Sequence, residues 1–221
     1  MLKKSVLEAR HKRQYLKILN IQDYTKKEYF NKDGCGLEIE FGVHYEARSS
    51  IYIGTGLKKI KEFVGNRGKF VTDESIGQFL NIEIVLNPFP REELKPIFDG
   101  IIDILNFYEN FIFDEKCGVH ANFRADEKLK ETYYGLLSDG RYDSERFSHS
   151  KYKKDFNETI LNPDGSKKSY EEYLEYQRNV GAKYCGINFL KPNLLEARTL
   201  NLDWKDVEFF YDIYDEAVAQ C

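Results

Sequence analysis

Five short segments of this chain alternate apolar and polar side chains with a period of two: "GLEIEFGV" (36–43), "NIEIV" (81–85), "GVHANFR" (118–124), "CGINFL" (185–190) and "LLEART" (194–199). An extended backbone sends successive side chains to opposite faces, so the five segments read as strands. Each strand then has one apolar face that the rest of the chain must cover. Candidates for that cover are visible. Residues 5–20 and 170–180 ("YEEYLEYQRNV") read as helices, and "GLKKIKEFV" (56–64) fits a helix ending before the turn "NRG". A long helix starts at Pro90, a residue suited to a first helical turn, and runs through "REELKPIFDGIIDILNFYENF", with Pro96 and Gly100 as irregularities. The last helix, "WKDVEFFYDIYDEAVA", follows Asp203 as its N-cap. "KPN" (191–193) reads as a hairpin turn between the last two strands, and "NPDGS" as another turn.

This order of elements predicts an α+β fold: a mainly antiparallel β-sheet with helices packed on one face and the other face left to line a groove. At 221 residues the chain fits one large domain over 31–221, preceded by a helical extension over 1–30. Residues 126–182 are polar and tyrosine-rich, and read as an insertion or lid.

The polar faces decide what the sheet could do. With the apolar sides turned to the helices, Glu38, Glu40, Glu83, His120, Asn188, Glu196 and Arg198 gather on the opposite side. Glutamates alternating in this way are what an ordinary water-facing sheet surface also shows. Several carboxylates on one rigid surface repel one another unless a cation neutralises them, however. Mg²⁺ and Mn²⁺ prefer carboxylate oxygens and keep room for water and phosphate, and four glutamates with a histidine could hold two or more such ions. Arg198, two residues from Glu196, could clamp a phosphate bidentately.

Composition narrows the classes. A formal net charge of −4 with scattered Lys and Arg lacks the basic stripe of a dedicated nucleic-acid binder. No apolar run approaches bilayer length and the N-terminus lacks a secretory h-region, so a reduced, cytoplasmic protein is expected. Cys35, Cys117, Cys185 and Cys221 form no C-x-x-C pair, and three of them precede a glycine at the start of a strand-like run. They fit buried core thiols, or a thiol cluster where strand ends meet. Sixteen Tyr and 16 Phe could serve the core or self-association, which leaves the oligomeric state open.

The motifs "GLEIEFGV", "TDESIGQFLNIEIVLNP", "CGVHANFR", "GRYDSERF", "KYCGINF" and "LLEARTLNLD" occur in the order in which they resemble the amidoligase family of carboxylate–amine ligases, related to glutamine synthetase and the glutamate–cysteine ligases. The resemblance spans roughly residues 36–218 and leaves the N-terminal helix outside. It implies a glutamine-synthetase-like catalytic sheet that binds ATP with Mg²⁺ or Mn²⁺. Glu38 and Glu40 match the family's Glu-x-Glu pair of metal ligands, and Glu83 a further ligand. His120 matches a histidine that touches metal or nucleotide. Glu196 and Arg198 match the late Glu-x-Arg pair of metal ligand and phosphate-facing cation. Glu40, Glu196 and Arg198 would thus stand closest to the chemistry. Arg141 and Asn188 match nucleotide contacts, and Asp73 and Ser75 an Asp-x-Ser substrate contact. Asn122 stands where many relatives have the second histidine of His-x-His, and "LNP" replaces their serine before proline.

The implied reaction joins a carboxylate and an amine, neither identified by any local motif, through an acyl phosphate made from ATP. The segment 126–182 could shield that intermediate from water. A divalent-metal phosphohydrolase or nuclease would use a similar carboxylate cluster. A non-catalytic nucleotide-binding protein and a guanidino-kinase-like phosphotransferase are the other readings of such a sheet.

Overall fold

A computed structural model of the chain describes residues 4–21, 34–46, 49–72, 79–113, 117–147, 156–182, 185–199 and 202–221. Among the described residues, seven strands form one antiparallel sheet. They are β1 (Cys35–Val43), β2 (Gly68–Thr72), β3 (Leu80–Leu86), β4 (Phe111–Ile112), β5 (Val119–Arg124), β6 (Ile187–Asn188) and β7 (Leu194–Thr199). The spatial order is β2-β3-β1-β5-β7-β6, with β4 pairing along the end of β1. The α+β reading of the sequence is therefore the observed architecture, and β1 lies at its centre.

The helices are α1 (Lys4–Leu19), α2 (Ser50–Val64), α3 (Arg91–Phe107), α4 (Glu127–Leu136), α5 (Phe156–Thr159), α6 (Tyr170–Val180) and α7 (Trp204–Gln220). Sheet and helices share one core. Leu37, Ile39 and Phe41 of β1, Ile82 and Ile84 of β3, and Val119, Ala121 and Phe123 of β5 are fully buried in it. So are Ile53, Leu57, Ile60 and Val64, which recur at helical spacing along α2, and Val207, Phe210 and Ile213 of α7. Each such side chain contributes about 1.5–3 kcal/mol of burial. Phe123 wedges between Tyr211, edge-on at 4.9 Å, and Tyr214, stacked at 4.7 Å. Thr199 donates to Asp206 at 3.0 Å, which ties the edge of β7 to α7.

Several elements differ from the sequence reading. The helix expected at 56–64 starts earlier, at Ser50, because Ile53 and Leu57 extend its buried stripe. The helix from Pro90 passes through Pro96 but ends at Phe107, and Phe111–Ile112 turns back as β4 beside β1. β2 and α4 have no counterpart in the reading. Capping is local and legible: Ser169 accepts from the Glu172 backbone N–H, and the Glu172 carboxylate accepts from that of Ser169. Asp203 accepts from the Lys205 backbone N–H, as its position before the last helix predicts.

Four of the described tyrosines of 126–182 are core residues. Tyr133, Tyr134, Tyr170 and Tyr173 surround Phe189, which follows β6. Gln177 of α6, itself buried, donates to the Ile187 carbonyl and accepts from the Phe189 backbone N–H, so α6 hydrogen-bonds to the sheet's edge. Tyr15 and Leu19 of α1 join the same core. Among the described residues, no helix is long and apolar enough to cross a membrane.

Candidate functional site

The side of the sheet turned away from the helices is not a wet surface. All nine residues of β1 are buried, the glutamates included. Glu38 and Glu196 are 1% exposed, Glu83 2%, Glu40 and Asn122 3%, His120 5% and Arg198 6%. A solvated face needs no charge balance, whereas a buried one does, because each ion has lost its water. Burial thus removes the plainest explanation of the alternating glutamates.

Strand register brings the residues together. Glu40 stands directly opposite Glu83 across β1 and β3, and Glu38 opposite His120 across β1 and β5. His120 is in turn opposite Arg198, and Asn122 opposite Glu196, across β5 and β7. Asn188 of β6 is also opposite Glu196. Directly opposed side chains have Cβ atoms about 5 Å apart, so the alternating pattern in each strand becomes one continuous polar patch.

His120 is the hub. Its Nδ1 lies 3.1 Å from Glu38 Oε2 and 3.5 Å from Glu196 Oε1, and its Nε2 lies 3.7 Å from Glu40 Oε1. Glu196 is the most heavily engaged acid. Its Oε2 accepts from Arg198 Nη2 at 2.6 Å and Asn188 Nδ2 at 3.0 Å, and its Oε1 accepts from Lys191 Nζ at 2.8 Å. Burial by itself would push its pKa up, but Arg198, Lys191 and His120 outweigh that effect, against opposition from Glu38, and hold it at about 2. Arg198 is fixed at its other end by the Ala182 carbonyl, 3.0 Å from Nη1.

Four carboxylates in this patch stand against two fixed cations, Arg198 and Lys191. Glu38, His120 and Glu196 each place one ligand atom so that all three lie within 4.8 Å of one another. In an octahedral Mg²⁺ or Mn²⁺ shell with bonds of about 2.1 Å, ligand atoms sit about 3–4.2 Å apart, so a small inward movement would suffice. Oxygen, nitrogen and oxygen donors from neutral imidazole and carboxylates suit such ions. The residues therefore fit a hard divalent cation.

The expected residues divide into three groups. Glu38, Glu40, Glu83, His120, Asn122, Asn188, Glu196 and Arg198 meet on the one face. Asp73 and Ser75 lie outside the described residues. Arg141 is not brought to the patch: it lies at the end of a π-helical turn after α4, and its guanidinium pairs at 2.9 Å with Glu216 of α7, in the helical layer. A nucleotide contact there is not what this arrangement provides. The reason is that the turn continues α4, which packs against α7. Cys35, Cys117 and Cys185 are buried and form no disulfide among the described residues, and the metal-capable group found among those residues contains none of them.

Sequence reasoning missed Lys191. The residue sits in the "KPN" turn, where a lysine reads as surface polarity, yet its ammonium reaches Glu196, Asn122 (3.1 Å) and Glu38 (3.7 Å). A signal was present: Asn188 and Glu196 pair across that hairpin, so the turn joining their strands must lie at the rim of the polar face. Lys130 of α4 was missed as well. It is 1% exposed and donates to the Lys191 carbonyl at 2.8 Å and to Glu127 at 2.7 Å. No family model, curated protein or solved structure matches the chain.

Proposed function

We propose that the protein is an ATP-dependent carboxylate–amine ligase whose catalytic surface is the buried polar face of the sheet. One observation carries the reading: Glu38, Glu40, Glu83 and Glu196 converge in register around His120, with Arg198 beside them, on a face that burial removes from water. That order of residues is also the one in which the sequence resembles the amidoligase family.

In this reading Glu38, His120 and Glu196 hold one divalent ion, and Glu40 with Glu83 offers oxygens for another. Bound Mg²⁺ or Mn²⁺ would supply Lewis-acid charge neutralisation between nucleotide and carboxylates. The rest falls to the chain's own groups. Arg198, anchored by Glu196 and the Ala182 carbonyl, is set to stabilise charge on a γ-phosphoryl group as an oxygen of the substrate carboxylate attacks phosphorus and ADP leaves. The amine nitrogen then attacks the acyl carbon of the acyl phosphate, phosphate departs with the bonding pair, and the nitrogen loses a proton. Asn122 and Asn188 supply neutral polar groups beside the acids. Because the face is buried, part of the covering chain must move aside for substrates to enter, and closure would protect the acyl phosphate from water.

The test is calorimetric titration of a non-hydrolysable ATP analogue in Mg²⁺ or Mn²⁺, with wild type, Glu40→Ala and Arg198→Ala. The expected result is metal-dependent binding that weakens in both variants. Absence of binding to folded wild type defeats the ligase reading. It would favour a metal-free ion network, with Lys191 and Arg198 as its permanent counter-ions.

A further inference from the structure

We infer that the Lys191 ammonium is a built-in occupant of the metal position, holding Glu38 and Glu196 together until a divalent ion displaces it. The inference rests on the ligase reading only in taking that face to bind a divalent ion, and it concerns what regulates loading. Its basis is geometric. Lys191 Nζ lies 2.8 Å from Glu196 Oε1 and 3.7 Å from Glu38 Oε1, between two of the three side chains whose donor atoms form the candidate metal group. Ammonium and metal would draw on the same two carboxylates, and Glu196 Oε1 already faces both Lys191 and His120, so the two cations compete.

Two features make this a held position. Asn122, 3% exposed, turns its carbonyl oxygen to Lys191 at 3.1 Å, which gives the ammonium a neutral partner inside the patch. From behind, buried Lys130 grips the Lys191 main-chain carbonyl at 2.8 Å, so the turn stays in place even when the side chain leaves. The side chain is itself about a quarter exposed, in contrast to every acid it touches. A released ammonium stays tethered at the rim of the site, within reach of an anionic ligand that arrives with the metal. Without the lysine the empty site would carry adjoining buried carboxylates with one fixed cation fewer. With it, metal binding carries the cost of breaking an ion pair, which sets the affinity below what the donor set alone would give.

The experiment measures Mn²⁺ binding by the loss of the free-ion electron paramagnetic resonance signal, without nucleotide, for wild type, Lys191→Met and Lys191→Arg. Methionine keeps the apolar stem and removes the charge; arginine keeps the charge. Lys191→Met should bind at least about tenfold more tightly than wild type, within the usual range for two coupled occupants. Lys191→Arg should stay near wild type. Equal or weaker binding by Lys191→Met, with wild type binding, overturns the Lys191 inference and leaves the ligase reading standing. No Mn²⁺ binding by either folded protein overturns both.

A second measurement on wild type covers the chance that Lys191→Met does not fold. Amine acylation read by mass spectrometry should rise at Lys191 on adding Mn²⁺ while Lys130 stays protected. Unchanged or reduced labelling of Lys191 in the loaded protein also overturns the inference.

Discussion

Replacing Glu196 by glutamine tests the electrostatics of the patch with one neutral atom exchange. Arg198, Lys191 and His120 hold the carboxylate at about 2, well below an ordinary glutamate, so its ionised form stabilises the fold. Removing one partner of a buried ion pair costs about 3–5 kcal/mol, because Arg198 and Lys191 are left facing a neutral amide. Since folding lowers this pKa, the contribution is complete above the unfolded value near 4.5 and is lost as pH falls through about 2. In chelator, urea unfolding of Glu196→Gln should therefore fall about 3 kcal/mol short of wild type at pH 7. The gap should narrow steadily below pH 4.5, where the unfolded wild-type chain takes up a proton that the folded protein still excludes. A variant within about 0.5 kcal/mol of wild type at pH 7 would refute the argument, and so would a gap that stays constant into acid.

Three further outcomes are expected. Phe41→Ala, at a fully buried position on the apolar side of β1, should lose about 3–5 kcal/mol in urea unfolding while the polar face keeps its register. Gly34→Ala should be destabilised by about 1–3 kcal/mol by the same assay, since its φ is +115° and an added Cβ would meet the Phe89 carbonyl oxygen at 2.5 Å. Lys130→Met should leave the Lys191 carbonyl without its buried donor, at a cost of about 1–3 kcal/mol, and speed amide hydrogen exchange at residues 191–194.

The strands that build the patch were legible because one rule governs both their fold and their chemistry. Period-two alternation assigned Ile39 and Phe41 to the core and Glu38 and Glu40 to the other side, and an antiparallel sheet offers few other ways to cover the apolar half. The helix α6 announced itself by its spacing, and α7 by its spacing and its Asp203 cap. Where local signals were mixed, reading failed. "SIYIGT" at the start of α2 is rich in residues equally at home in strands, and its helical state is secured by Ile53 and Leu57 packing on the core. Which rings of 126–182 pack together was not legible either, since contacts such as Tyr134 with Tyr173 depend on α4 and α6 meeting in space.

By itself the sequence determined which side chains share a face, since that depends only on position along each strand. It could not determine which strands are neighbours, and so could not place Glu40 opposite Glu83 or His120 opposite Arg198. Nor could it show whether the polar face meets water, which depends on what the whole chain lays over it. Tertiary structure decided both. It also moved Lys191 from a turn into the centre of the charges and Arg141 out to α7. Long flexible side chains reach several ångströms from their backbone, so their partners are set by which elements meet in space.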